Sequence, residues 1–100
     1  MTQQNTNIKN INKFKVKEPG KYKVIMHNDD VTTMDFVVYV LVSIFKMAQN
    51  EARTVMLTIH TKGSAVVGVY SYDIAMSKKE LVRKIAETNK YPLTVTVKPL

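Results

Sequence analysis

Three short strand-like stretches, each separated from the next by helical periodicity, constrain this chain more than any other feature. In Lys21 to His27, the side chains of Tyr22, Val24 and Met26 fall on one side and those of Lys23, Ile25 and His27 on the other, the two-residue period of a strand. The run from Ala65 to Tyr70 is apolar on both sides and is expected at the centre of a sheet. Leu93, Val95 and Val97 alternate with Thr94, Thr96 and Lys98, a strand with one wet face.

The intervening segments repeat at three and four. Phe36, Val37, Val40, Leu41, Ile44, Phe45 and Ala48 trace one apolar helix face, and Thr32 with Asp35 is expected to open that helix as a capping box. Asn50 is expected to cap a second helix carrying Ala52, Val55, Met56 and Ile59, with His60 on the same side and Gly63 as a left-handed stop. Ser71 is expected to cap a third, with a stripe of Ile74, Lys78, Leu81, Val82 and Ile85 that ends at Asn89 and Pro92. The order β-α-α-β-α-β predicts an α+β two-layer sandwich: a three-stranded antiparallel sheet with three helices packed on one face.

One hundred residues leave room for one domain. Residues 1–20 are rich in Asn, Gln, Thr and Lys and end in Pro19-Gly20, so they are expected to form a flexible, disordered N-terminal extension before a domain at 21–100. The net charge of +7 is concentrated there: residues 1–23 hold six lysines against Glu18, or +5, and the other 77 residues hold nine bases against seven acids, or +2. A basic arm without clustered arginines or interleaved aromatics is weak support for nucleic-acid binding, and none is expected. The absence of cysteine excludes disulfides, zinc ribbons and thiol catalysis. No apolar run reaches about 18 residues and the N-terminus has no apolar signal region, so a cytoplasmic protein without membrane contact is expected.

Chemistry concentrates at the join of the first strand and helix, His27-Asn28-Asp29-Asp30-Val31-Thr32-Thr33-Met34. Adjacent carboxylates repel, and they make sense where a cation is held; the plainer reading is a turn and helix cap satisfied locally. His60 alone reads as an ordinary half-buried histidine, and Met34 and Met56 read first as core filler, although a soft side chain also suits an adaptable pocket wall. The loop lacks the ligand pattern of a calcium site. No HExxH spacing, glycine-rich phosphate loop or nucleophile elbow occurs. No metal, cofactor or catalysis is expected.

Residues KYKVIMHNDDVTTMDFVVYVL, VMLTIHTKGSAVVGVY and KIAETNKYPLTVTV occur in this order over about residues 21–98, and together they resemble the ClpS family of adaptors. The resemblance implies recognition of protein N-termini that begin with Leu, Phe, Tyr or Trp. It implies that Asn28, Asp29 and His60 bind the α-amino group. Thr32, Met34, Met56 and Ile59 would line the side-chain pocket, with Met34 as a gatekeeper against β-branched residues, and Asp30 would support the turn. The face around Asp73 and Lys78 would dock on the N-terminal domain of a ClpA-like or ClpC-like AAA+ unfoldase, and a monomer is expected. Thr33 stands where many members carry Pro, and His27 where an apolar residue is common; Ile59 is often Val, and Met76 and Ser77 often an acid and Thr. The same element order also resembles the C-terminal domain of the ribosomal stalk protein, an interaction module with no reason to combine Asn28, Asp29 and Asp30 with His60.

Overall fold

The computed structural model describes residues 20–100; the expected N-terminal extension lies outside the described residues, apart from Gly20. The elements run β1 (Lys21–His27), α1 (Met34–Ser43), α2 (Gln49–Lys62), β2 (Ser64–Ser71), α3 (Tyr72–Thr88) and β3 (Thr94–Pro99). The three strands are antiparallel in the order β2-β1-β3. Val24 and Met26 on β1, Val95 on β3 and the buried helix residues Val40, Leu41, Ala52, Ile59, Ala75 and Val82 form one core on one face of the sheet. This is the expected two-layer α+β sandwich.

The central strand is β1, and β2 lies at an edge, contrary to the expectation for the apolar run Ala65 to Tyr70. With helices on one face only, a central strand can keep a polar outer face, so the alternation of β1 suits the centre. On β2, Val66 and Val69 remain 49% and 42% exposed. The register shifts between the pairs Val24↔Gly68 and Ile25↔Val66, leaving Val67 as an extra residue. Val67 is buried, so a bulge turns one valine of an edge strand into the core.

The helix ends also differ in detail. Thr33, not Thr32, is the N-cap of α1, and its hydroxyl accepts from the Phe36 amide at 3.2 Å. Ile44 and Phe45 are buried from the turn that follows α1 rather than from the helix itself. The N-cap of α2 is Ala48, with no side-chain bond, and Asn50 lies inside the first turn. Gly63 closes α2 at φ 94° as expected. In α3 the buried positions are Ala75, Val82 and Ala86, while Ile74 and Leu81 face outward. Small alanines let the helix approach the sheet closely, which turns the two larger residues away.

Candidate functional site

The turn after β1 is built on Asp29. The amides of Val31 and Thr32 donate to its Oδ1 at 2.8 and 2.7 Å, and the Thr32 hydroxyl donates to Oδ2 at 2.7 Å. These bonds follow from residue type: a short carboxylate reaches amides two and three positions on, and so folds the chain back into the start of a helix. Burial by itself would raise the Asp29 carboxyl, but the bonds from the Thr32 amide, the Thr32 hydroxyl and the Val31 amide outweigh it and hold it below its ordinary 3.8. The group is therefore a fixed negative charge at neutral pH. The turn-supporting role expected of Asp30 falls, in these hydrogen bonds, to Asp29; Asp30 is exposed and has no side-chain hydrogen bond among the described residues.

The amide of Asn28 donates to the Gly63 carbonyl at 2.9 Å. That bond ties the turn to the end of α2, one helical turn beyond His60. Between them lies a cavity of about 410 Å³ lined by Asn28, Asp29, Asp30, Val31, Thr32, Thr33, Met34, Val37, Met56, Ile59 and His60. Every residue expected at the recognition site is in that lining. Asn28, Asp30, Met34 and His60 are exposed, Asp29, Thr32 and Met56 are half-buried, and Ile59 and Val37 are buried. The cavity thus combines a polar, negatively charged side with an apolar one. Among the described residues no group of three metal-ligating side chains occurs, and no helix is long and apolar enough to cross a membrane.

Val37 was expected on the apolar helix face but not at the site, although a helix running through Met34 places it one turn later on the same side. Thr33 and Val31 join the lining only because of the fold of the turn. His27 stays clear of the cavity. It lies on the outer face of β1 with Lys23 and Ile25, its Nε2 2.9 Å from the Thr96 hydroxyl. Asp73 is exposed in the first turn of α3. Lys78 is half-buried: its Nζ donates to the Ile44 carbonyl at 2.6 Å and lies 5.6 Å from the centre of the Tyr70 ring.

The description that matches the chain, over residues 17–96, is "ATP-dependent Clp protease adaptor protein ClpS". The ClpS adapter protein of Acetivibrio thermocellus is 51% identical over 83 residues, spanning 83% of this chain and 84% of that one. That of Syntrophus aciditrophicus is 52% identical over 79 residues, 79% of this chain and 74% of the other. The structure of Agrobacterium tumefaciens ClpS2 bound to L-phenylalaninamide superposes with a TM-score of 0.80 at 40% identity, covering 83% of this chain and all of that one. With a match across most of its length and relatives at half identity, the chain belongs to the ClpS family of adaptors of the ATP-dependent Clp protease.

Proposed function

We propose that this adaptor binds proteins whose first residue is Leu, Phe, Tyr or Trp and delivers them, without catalysis of its own, to a ClpA-like or ClpC-like AAA+ unfoldase in the cytoplasm. The observation that carries the reading is the single cavity that pairs a fixed carboxylate, Asp29, with an apolar floor of Val37, Met56 and Ile59. Its volume is within the roughly 300–1,000 Å³ of small-ligand sites. The ligand of the Agrobacterium tumefaciens relative, L-phenylalaninamide, has just the two features that such a cavity addresses: a free α-amine and an apolar side chain.

In this reading Asn28, Asp29 and His60 take the ammonium group, and Thr32, Met34, Met56 and Ile59 surround the side chain. Asp30 adds negative charge at the mouth. Burying a Leu or Phe side chain contributes about 1.5–3 kcal/mol, and each hydrogen bond to the charged amine about 1.5–3 kcal/mol. An internal Phe or Leu has a peptide N–H where the site takes a cation, and the difference gives selectivity for chain ends. Met34, 44% exposed at the mouth, narrows the entrance against Ile and Val. Asp73 offers an exposed acid for the N-terminal domain of the unfoldase, and Lys78, five positions further along α3, supports the docking region. The adaptor works as a monomer.

The test is a fluorescent peptide that begins with Phe, titrated beside its N-acetylated copy. The free amine is expected to bind and the acetylated peptide not to bind; equal affinities would refute amine recognition. Binding of the free peptide should also weaken as pH rises past the amine's pKa of roughly 7.7–8.0.

A further inference from the structure

A second concavity, of about 510 Å³, runs between the end of α1 and one flank of α3. It shares no lining residue with the recognition cavity. Its walls include Tyr39, Lys46, Lys78, Leu81, Lys84 and Ile85, and no carboxylate. Tyr39 and Leu81 are 55% and 51% exposed. We propose that this groove docks an acidic segment of a partner protein that carries a bulky apolar anchor.

Three observations converge on that occupant. First, two of the three cations are not consumed by the fold. Lys78 is bonded to the Ile44 carbonyl, but neither Lys46 nor Lys84 forms an ion pair among the described residues. Second, Lys46 has a left-handed backbone at φ 62° in the turn after α1, a conformation that glycine adopts without strain. A left-handed lysine costs stability that glycine would not, and at Lys46 this turn sets an exposed lysine in the wall of the groove. Third, exposed Tyr39 and Leu81 face the groove from opposite walls, and apolar anchors ringed by charge are the usual composition of a docking centre.

Charge excludes the chain's own candidates. A second copy brings a net charge of +7, and residues 1–20 bring four lysines against Glu18, or +3; both are repelled by three lysines. Nucleic acid would satisfy the lysines but gains little from Leu81 and Ile85, and affinity for phosphates needs more cations than two free ones. A partner segment with carboxylates flanking Leu or Phe complements both features. Because the two sites are separate, a terminal peptide and an acidic segment can be bound at once.

The experiment is an NMR titration of the ¹⁵N-labelled full chain with an N-acetylated ten-residue peptide of Glu interrupted by Leu and Phe, acetylated so that it has no free amine for the recognition cavity. Controls are the same peptide with Lys for every Glu, and single-stranded oligothymidylate. The acidic peptide is expected to shift the amides of Tyr39, Lys46, Leu81 and Lys84, and Lys46→Glu with Lys84→Glu is expected to weaken binding at least tenfold. Lys46→Gly separates binding from folding: it should raise Tm by relieving the backbone, yet weaken binding at least threefold. Lys90→Gly, which relieves a second left-handed lysine at φ 61° outside the groove, should raise Tm and leave binding unchanged. Equal binding of the Lys peptide, stronger groove shifts with oligothymidylate, shifts centred elsewhere, or undiminished binding by Lys46→Gly would each overturn the proposal.

Discussion

Replacing Asp29 by Asn separates the charge of this carboxylate from its shape. An Asn Oδ1 can still accept from the Val31 and Thr32 amides, and its Nδ2 can donate to a Thr32 hydroxyl that now turns to accept. All three contacts of 2.7–2.8 Å survive, but each changes from charge-assisted to neutral. Hydrogen bonds to charged groups contribute about 1.5–3 kcal/mol and neutral ones about 0.5–1.5 kcal/mol. In a half-exposed turn, where water competes, the summed loss should be about 1–2 kcal/mol, or on the order of 5–10 °C in Tm for a domain of this size. The effect on the ligand should be larger in proportion. Unit charges about 4 Å apart attract by roughly 4 kcal/mol at an effective dielectric near 20; water at the rim leaves about half of that, so affinity for a Phe-initiated peptide should fall about 10- to 100-fold. Fluorescence anisotropy gives the affinity and a thermal melt gives the stability. Acid titration supplies an internal check. The folded carboxyl titrates below its ordinary 3.8, so its contribution is present above that value and is lost as pH falls through the folded pKa. The stabilities of the parent and Asp29→Asn should therefore converge in strong acid. If a folded Asp29→Asn protein binds the peptide within twofold of the parent, the carboxylate is not what reads the amine.

Other perturbations test the frame around the site. Gly63→Ala places its Cβ in open space, so its cost is that of φ 94° in an L-residue, about 1–2 kcal/mol by thermal melt. Gly68→Ala puts a Cβ about 2.6 Å from Tyr70 Cζ and forces that half-buried ring away from Lys78; a loss of about 1–3 kcal/mol is expected in urea denaturation. Adding Tyr70→Ala should make the Gly68 substitution nearly neutral by comparison, because the clash is gone. Lys78→Met removes the donor to the Ile44 carbonyl and should cost about 1–2 kcal/mol, so any loss of unfoldase docking by this variant has to be judged against its melt.

What the sequence made legible follows the range of the interactions. The strand β1, the turn with its carboxylates and the stop at Gly63 are encoded within a few residues, and they are where expected. The position of β2 was not legible, because an apolar run has the same appearance whether sheet or bulge buries it; only the register shift beside Val67 distinguishes the two. The third helix misled for a related reason. Periodicity weighted by hydrophobicity favours Ile74 and Leu81, but close approach to the sheet selects Ala75 and Ala86. At the site, the seven residues expected around the amine and the side chain all line the cavity, and Asp30, expected only to support the turn, lines it as well. The distribution of labour between the two aspartates was hidden, since either could form the turn by residue type and only the bonds to Val31 and Thr32 single out Asp29.

The geometry of the cavity depends on two kinds of constraint that act at different distances. Asp29 is oriented by bonds that span two or three residues, so its direction relative to α1 is set locally. Its position relative to α2 is not. The pair His27↔Ser64 is the last of the β1–β2 ladder, the Asn28 amide then meets the Gly63 carbonyl, and Gly63 is where α2 ends. Sheet register thus decides how far His60 and Met56 stand from the turn. Because β1 is hydrogen-bonded on both sides, it cannot slide without breaking two ladders, and a slip of one residue would also exchange its buried and exposed faces. The strand with the more polar outer face is therefore the one whose central place fixes the site. The proposed recognition of an ammonium needs a charge held in one place: the bonds of the turn set the direction of Asp29, and the sheet register sets its distance from α2.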